Sequence, residues 1–241
     1  MRLLLLPLIA LASLSACGGG TGGNSTAAAP VANVTAPAGQ RWTDVVAVTP
    51  EGGYRVGNPD AAIKLIEYGS RTCPTCGAFG REGNEPLLAN YVSTGKVSFE
   101  FRDFAIHGPV DLAAAVLGRC NGTATFFPLL EAMYRDQSTV LDRMQALPQA
   151  QQTQLQAMAP LQAVGAWADA AGYVEFVKQR GVPEAKARQC LGDKALLDQV
   201  VKITEDGGQV VTGTPTFLLN GEKIDALSWA QVEAALKGAG A

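Results

Sequence analysis

The residues Ala62-Ile63-Lys64-Leu65-Ile66-Glu67-Tyr68 form an apolar, β-rich run behind the turn residues Gly57-Asn58-Pro59-Asp60, and read as a strand. Past Cys73 the spacing lengthens. Phe79, Leu87, Leu88 and Tyr91 recur at helical intervals up to a stop at Ser93-Thr94-Gly95, with a bend expected around Gly83 to Pro86. Lys96 to Phe101 reads as a second strand, and a single helical crossover between two strands implies a parallel pair. Near the C-terminus, Thr216 to Leu219, the turn Asn220-Gly221 and Glu222 to Ile224 predict a hairpin. A last helix from Ser228 to Lys237, capped by Ser228, follows.

Between Phe101 and Gly208 the period stays helical. Ala113 to Arg119, Phe126 to Tyr134, Leu161 to Ala171, Tyr173 to Lys178, Glu184 to Leu191 and Ala195 to Glu205 each show it. The Gln-rich stretch Pro148 to Pro160 reads as an exposed helix or loop and carries no assigned role. The pattern therefore predicts an α/β fold interrupted by an all-helical segment.

Composition narrows the function. The chain has 241 residues, 47% of them apolar, which is enough for a sizeable core. A net charge of −3 without a basic run leaves no electrostatic footprint for nucleic acid. Met1-Arg2 followed by the apolar run Leu3 to Leu14 is too short to span a bilayer but fits a signal peptide, residues 1–16. Its end, Leu14-Ser15-Ala16-Cys17, resembles the lipobox of bacterial lipoproteins, which implies cleavage before Cys17 and lipidation of that cysteine. Gly18 to Gln40 is almost all Gly, Ala, Ser, Thr, Asn and Pro, and is expected to form with Cys17 a tether, residues 17–40, spanning roughly 25 Å. By the sorting pattern of such lipoproteins, Gly18 points to the outer membrane, facing the periplasm, with the lipid as the sole membrane contact.

Export places the remaining cysteines, Cys73, Cys76, Cys120 and Cys190, where disulfides persist. Zinc is poorly matched, because the chain offers one CxxC, two distant cysteines and one histidine. The Cys73-Pro74-Thr75-Cys76 stretch follows a strand and opens a helix, with Pro74 at a position where its missing N–H costs nothing. Free N–H groups and the positive end of the helix dipole favour a thiolate at Cys73, making it the nucleophile. Cys76, one turn deeper, suits the resolving role. A purely structural bond across so short a loop would stabilise little.

With Gly213-Thr214-Pro215-Thr216-Phe217 near the C-terminus, this CxxC resembles the DsbA-like branch of the thioredoxin superfamily, from about Gly53 to the end. The resemblance implies a thioredoxin fold in two parts, residues 41–107 and 209–241, around a helical insert, residues 108–208. It implies a cis Pro215 facing the cysteines, with Thr214 pairing to an incoming protein. It further places a buried carboxylate, Glu67, near Cys76, where it could carry that thiol's proton. Thr75 stands where strongly oxidising relatives carry histidine, and Thr214 before Pro215 is similar to isomerases and reductases.

In an exported protein Cys120 and Cys190 are expected to pair, and closing that loop could stabilise the fold by roughly 4 kcal/mol. His107, the single histidine, reads as a loop residue without a role. The reading is a lipid-anchored periplasmic thiol:disulfide oxidoreductase, a dithiol oxidase acting on exported cysteine-containing proteins and reset by a redox partner, without cofactor or metal. Against an isomerase, only Arg41 to Arg55 separates tether from fold, which leaves no room for an N-terminal dimerisation domain, and a monomer is expected. Two alternatives stay open: a reductase or isomerase of the same fold, and a non-enzymatic module that holds a soft metal such as Cu(I) or client proteins.

Overall fold

The computed structural model describes residues 28–241. The signal peptide, Cys17 and the first part of the tether lie outside the described residues.

The central strand β3 (Ile63–Gly69) turns Ile63, Leu65 and Glu67 inward and leaves Lys64 exposed. Helix α1 (Pro74–Asn90) follows and continues through Pro86. Its buried residues Cys76, Phe79, Gly80, Gly83 and Leu87 recur at helical spacing, so one face lies on the sheet. The chain turns back through a short 3-10 segment, Val92–Thr94, and Gly95 at φ 74°, a left-handed conformation that suits glycine. Strand β4 (Val97–Asp103) then pairs parallel to β3 and is buried along most of its length, as expected of a strand covered on both faces.

After β4 come the helices α2 (Pro109–Arg119), α3 (Thr123–Arg135), α4 (Gln137–Gln145), α5 (Gln149–Gln156), α6 (Pro160–Ala171), α7 (Tyr173–Lys178), α8 (Glu184–Leu191) and α9 (Lys194–Gly207). The hairpin β5 (Thr216–Leu219) and β6 (Glu222–Ile224) returns to the sheet. Helix α10 (Trp229–Gly238) closes the fold, with Ser228 and Gln231 forming a capping box.

An edge hairpin, β1 (Val46–Val48) and β2 (Tyr54–Gly57), completes a sheet of order β1-β2-β4-β3-β5-β6. This hairpin is not predicted by the hydrophobic pattern, because its strands of three and four residues are too short to show a period. Residues 28–40, expected within the tether, lie on the body. The Val34 N–H donates to the Thr94 carbonyl, and the buried Trp42 indole donates to the Val34 carbonyl at 2.6 Å. The composition of this segment misleads because backbone groups, not apolar side chains, hold most of it in place.

Two cores result. Tyr54, Leu65, Phe79, Phe99, Phe101, Phe217 and Leu236 pack around the sheet. Ala113, Val116, Leu117, Val164, Ala168 and Val177 pack among the helices, where a disulfide joins Cys120 to Cys190. Helix α3 serves both, because Phe126, Leu130 and Tyr134 on one face join the sheet core while Leu129 and Met133 join the helical one. The expected insert, residues 108–208, thus has a core of its own but is not confined to it. Its α3 is a wall of the sheet domain.

Candidate active site

Strands β3 and β4 run parallel and β5 antiparallel to them, so three loops converge on one edge of the sheet. They are the loop after β3, which carries Cys73, the loop after β4, which carries His107, and the loop before β5, which carries Thr214 and Pro215. Cys73 is the residue that caps α1, with an extended backbone at φ −76° and ψ 121°, and Pro74 follows inside the first turn. No side chain caps this helix, which leaves its first N–H groups free for the sulfur.

Cys73 and Cys76 are free thiols, 7% and 0% exposed, whereas Pro74 and Thr75 between them are open to solvent. The Thr214–Pro215 peptide bond is cis, and the Thr214 carbonyl oxygen lies 3.5 Å from Cys73 Sγ. A hydrogen bond from the Cys76 thiol does most to lower the Cys73 pKa; burial opposes it, and Thr214 and the N–H groups of Cys76 and Thr75 add to the lowering, leaving it at about 5. Cys76 moves the other way, raised by burial first and then by its hydrogen bond to Cys73 and the nearby Glu67. The two thiols are thereby made unequal.

Glu67 sits beneath the pair, 0% exposed, and neither of its carboxyl oxygens has a hydrogen-bond partner among the described residues. Burial, with Cys73 and Asp103 behind it, raises its pKa well above the usual range. A carboxyl with a raised pKa next to the deeper cysteine can exchange a proton with it as the disulfide opens or closes.

Several residues that hold this arrangement are not singled out by the sequence. Gln137, at the start of α4 and 3% exposed, donates from Nε2 to the Cys73 carbonyl at 2.8 Å and to the Arg71 carbonyl at 3.1 Å. The Tyr134 hydroxyl donates to the Ser70 carbonyl at 3.3 Å. Asp103, at the end of β4, takes Arg71 Nε on one oxygen at 2.7 Å and Arg119 Nε on the other at 2.8 Å, with all three side chains at most 2% exposed. The Phe126 ring lies under both guanidiniums, 4.9 and 5.7 Å from their central carbons. Gly118 leaves the room for Arg71, since any side chain there would collide with its guanidinium. Charged residues ending an apolar strand and an apolar helix are the signal that could have found this triad.

His107 does not dangle in its loop. Its Nδ1 lies 2.9 Å from Thr72 Oγ1 and 3.1 Å from Ser70 Oγ, within three residues of Cys73. The Cys120–Cys190 disulfide sits apart in the helical core, at the end of α2 and on α8.

Comparison with known proteins fits this geometry. The thioredoxin family profile matches residues 49–238. A protein-disulfide isomerase from Novosphingobium aromaticivorans is 27% identical and superposes with a TM-score of 0.72 over 76% of this chain and 94% of its own. Wolbachia pipientis alpha-DsbA1, at 20% identity and a TM-score of 0.60, shares the fold over 78% of this chain and 90% of its own. A Rickettsia bellii protein, provisionally named protein-disulfide oxidoreductase, is 25% identical over 187 residues, which are 75% of this chain. The chain spans about three fifths of the length of the curated relatives it matches, 62% for that protein and 57% for its Rickettsia felis counterpart. With a CxxC opening the helix after β3, a cis proline across from it and a profile match over most of its length, the chain belongs to the thioredoxin family and carries the DsbA-like arrangement of sheet and helices.

Proposed function

We propose that this chain is a thiol:disulfide oxidoreductase that oxidises dithiols in exported proteins through Cys73 and Cys76. The observation that carries the reading is the unequal setting of the two thiols: Cys73 caps α1 beside the Thr214 carbonyl with its pKa lowered to about 5, whereas Cys76 is 0% exposed with its pKa raised. In the oxidised protein a client thiolate attacks Cys73 Sγ, the Cys73–Cys76 bond breaks, and Cys76 leaves and takes up a proton. A second client thiolate then attacks the client sulfur of the mixed disulfide and releases the Cys73 thiolate. The client gains a disulfide and the pair gains two electrons. A separate redox partner must reset it.

A stabilised Cys73 thiolate favours the reduced form and hence an oxidising protein. The equilibrium with glutathione is expected to give a reduction potential above about −200 mV; a value near the −270 mV or so of thioredoxins would overturn the oxidase direction. The second reading, an isomerase, is supported by the name of the Novosphingobium relative, and scrambled-substrate refolding distinguishes it.

The Cys120–Cys190 disulfide supports a home in an oxidising compartment. The Leu14 to Cys17 motif supports a lipid anchor facing the periplasm, from the outer membrane. Replacing Cys17 by Ser is then expected to abolish lipid labelling and to move the protein from the membrane to the soluble fraction. Unchanged fractionation would remove the anchor from the reading.

A further inference from the structure

The loop after β4 brings the only histidine of the chain to the redox edge of the sheet, on the side of Cys73 opposite Thr214. Its ring is held from behind. Nδ1 lies 2.9 Å from Thr72 Oγ1, 3.1 Å from Ser70 Oγ and 3.7 Å from Asp111 Oδ2, and the His107 N–H donates to the same carboxylate oxygen at 3.4 Å. Ser70, Thr72 and Asp111 are buried, at 1%, 4% and 1% exposure, whereas the His107 side chain is 44% exposed. Nε2 has no hydrogen-bond partner among the described residues. One nitrogen is anchored on buried oxygens, the nearest of them on Thr72 next to Cys73 in the chain, and the other has no such anchor.

We propose that His107 takes the thiol proton of an incoming client cysteine at Nε2 and holds the client sulfur as a thiolate beside the Cys73–Cys76 disulfide. The proposal rests on the oxidoreductase reading. A cysteine with an ordinary pKa near 8.5 is only a few per cent thiolate at pH 7, and the thiolate alone attacks. An opposite charge within about 4–6 Å shifts such an equilibrium by one to three units. The proton passes from client sulfur to Nε2, and the new sulfur–sulfur bond forms at Cys73. The Cys73–Cys76 bond breaks, Cys76 takes a proton, and His107 returns its own proton to water.

The charges around the ring lie on one side of it. From α2, the Asp111 carboxylate faces it, pushed up to about 6 by burial and by Asp103 against the lowering by Ser70 and His107 itself. Asp103 lies behind Asp111 with its charge matched by Arg71 and Arg119, and Tyr173 of α7 lies near Asp111. On the outer flank a cavity of about 430 Å³, walled by Val110, Met144, Leu155, Met158 and Trp167 from α2 and α4 to α6, brings only uncharged side chains to the ring. Asp111 is therefore the one unmatched charge facing it among the described residues.

The test is the rate at which the oxidised full-length protein forms a mixed disulfide with a peptide bearing one ordinary cysteine, followed from pH 5.5 to about 9.5 in the wild type and in His107→Gln. Glutamine keeps a hydrogen bond to Thr72 but cannot take the proton. The expected result is a rate roughly tenfold lower at pH 6.5 to 7, closing to parity above about pH 9, where the peptide thiol ionises unaided. A loss of equal size at every pH would mean that His107 only holds the Ser70–Thr72 turn, and equal rates throughout would mean that it does nothing; either overturns the proposal. Alkylation of Cys73 in the reduced variant, which involves no client proton, should stay within about twofold of wild type. A wild type that forms no mixed disulfide at any pH overturns the oxidoreductase reading as well, and so separates the two failures.

Discussion

Cys76→Ser is expected to turn the protein into a trap for its clients, accumulating stable mixed disulfides that Cys73→Ser does not form. The oxidised serine variant is charged through Cys73 alone, for example with a glutathione or thionitrobenzoate adduct, and a client thiolate then displaces the small thiol. In the wild type the mixed disulfide has an intramolecular escape, because Cys76 lies within hydrogen-bonding reach of the Cys73 sulfur. Removing that sulfur closes the escape, and the complex dissociates only by attack of a further thiol. The converse variant leaves Cys76, which is 0% exposed, protonated by its buried setting and covered by the first turn of α1. Trapped species should exceed those of Cys73→Ser by an order of magnitude or more on non-reducing gels, in line with the spread of thiolate fraction between the two sites. Equal trapping by both variants would mean that the pair is not an activated redox centre, and would revive the metal-holding and client-holding readings.

The second large effect is on stability. Asp103→Ala leaves Arg71 and Arg119 buried side by side with no counter-charge, and each has already an Nη2 without a partner among the described residues. Breaking a buried ion network by removing one member costs about 3–5 kcal/mol, which for a domain of this size lowers the melting temperature on the order of 10 °C. Asp103→Asn keeps the shape and one acceptor but not the charge, and is expected to fall between. Urea unfolding of the oxidised protein checks both; a loss below about 1 kcal/mol for the alanine variant would show that the arginines find water or other acceptors. Because Arg71 lies between Ser70 and Thr72, the damage should extend beyond the core: Cys73 alkylation near pH 6 should slow as the loop that presents it loosens.

The parts of the fold legible in the sequence are those with a long enough period or a sharp enough stop. Strands β3 and β4, helix α1, the Asn220-Gly221 hairpin and the capped α10 all declare themselves within a residue or two of their observed bounds. Helix α4 does not, since only Gln137 and Val140 of its nine residues are buried and the rest is polar. That same helix start carries Gln137, whose part in holding the Cys73 carbonyl is invisible because nothing in a sequence tells a buried amide from a surface one. The thiol pair is legible as a motif, and the cis Pro215 and the buried Glu67 follow from the family resemblance that the motifs carry. Arg71, Asp103 and Arg119 are 32 and 16 positions apart along the chain, so their meeting is a product of topology rather than of local pattern. His107 reads as idle in the sequence for the same reason: its neighbours at Ser70 and Thr72 are 37 and 35 positions away.

The stretch from residue 28 to Trp42 gives the molecule a direction. Ala28 and Val31 donate to the carbonyls of Gly238 and Gly240 at the end of α10, and Val34 donates to Thr94, just ahead of β4. Strand β4 starts at that pole and delivers His107 at the other, beside Cys73. Whatever precedes residue 28 therefore joins the body at the pole remote from the thiols. If the chain is moored to a lipid surface from that side, the moored pole faces the lipid and the cysteines face outward, toward soluble clients. Cross-linkers placed at Thr75 would then find periplasmic proteins sooner than membrane ones.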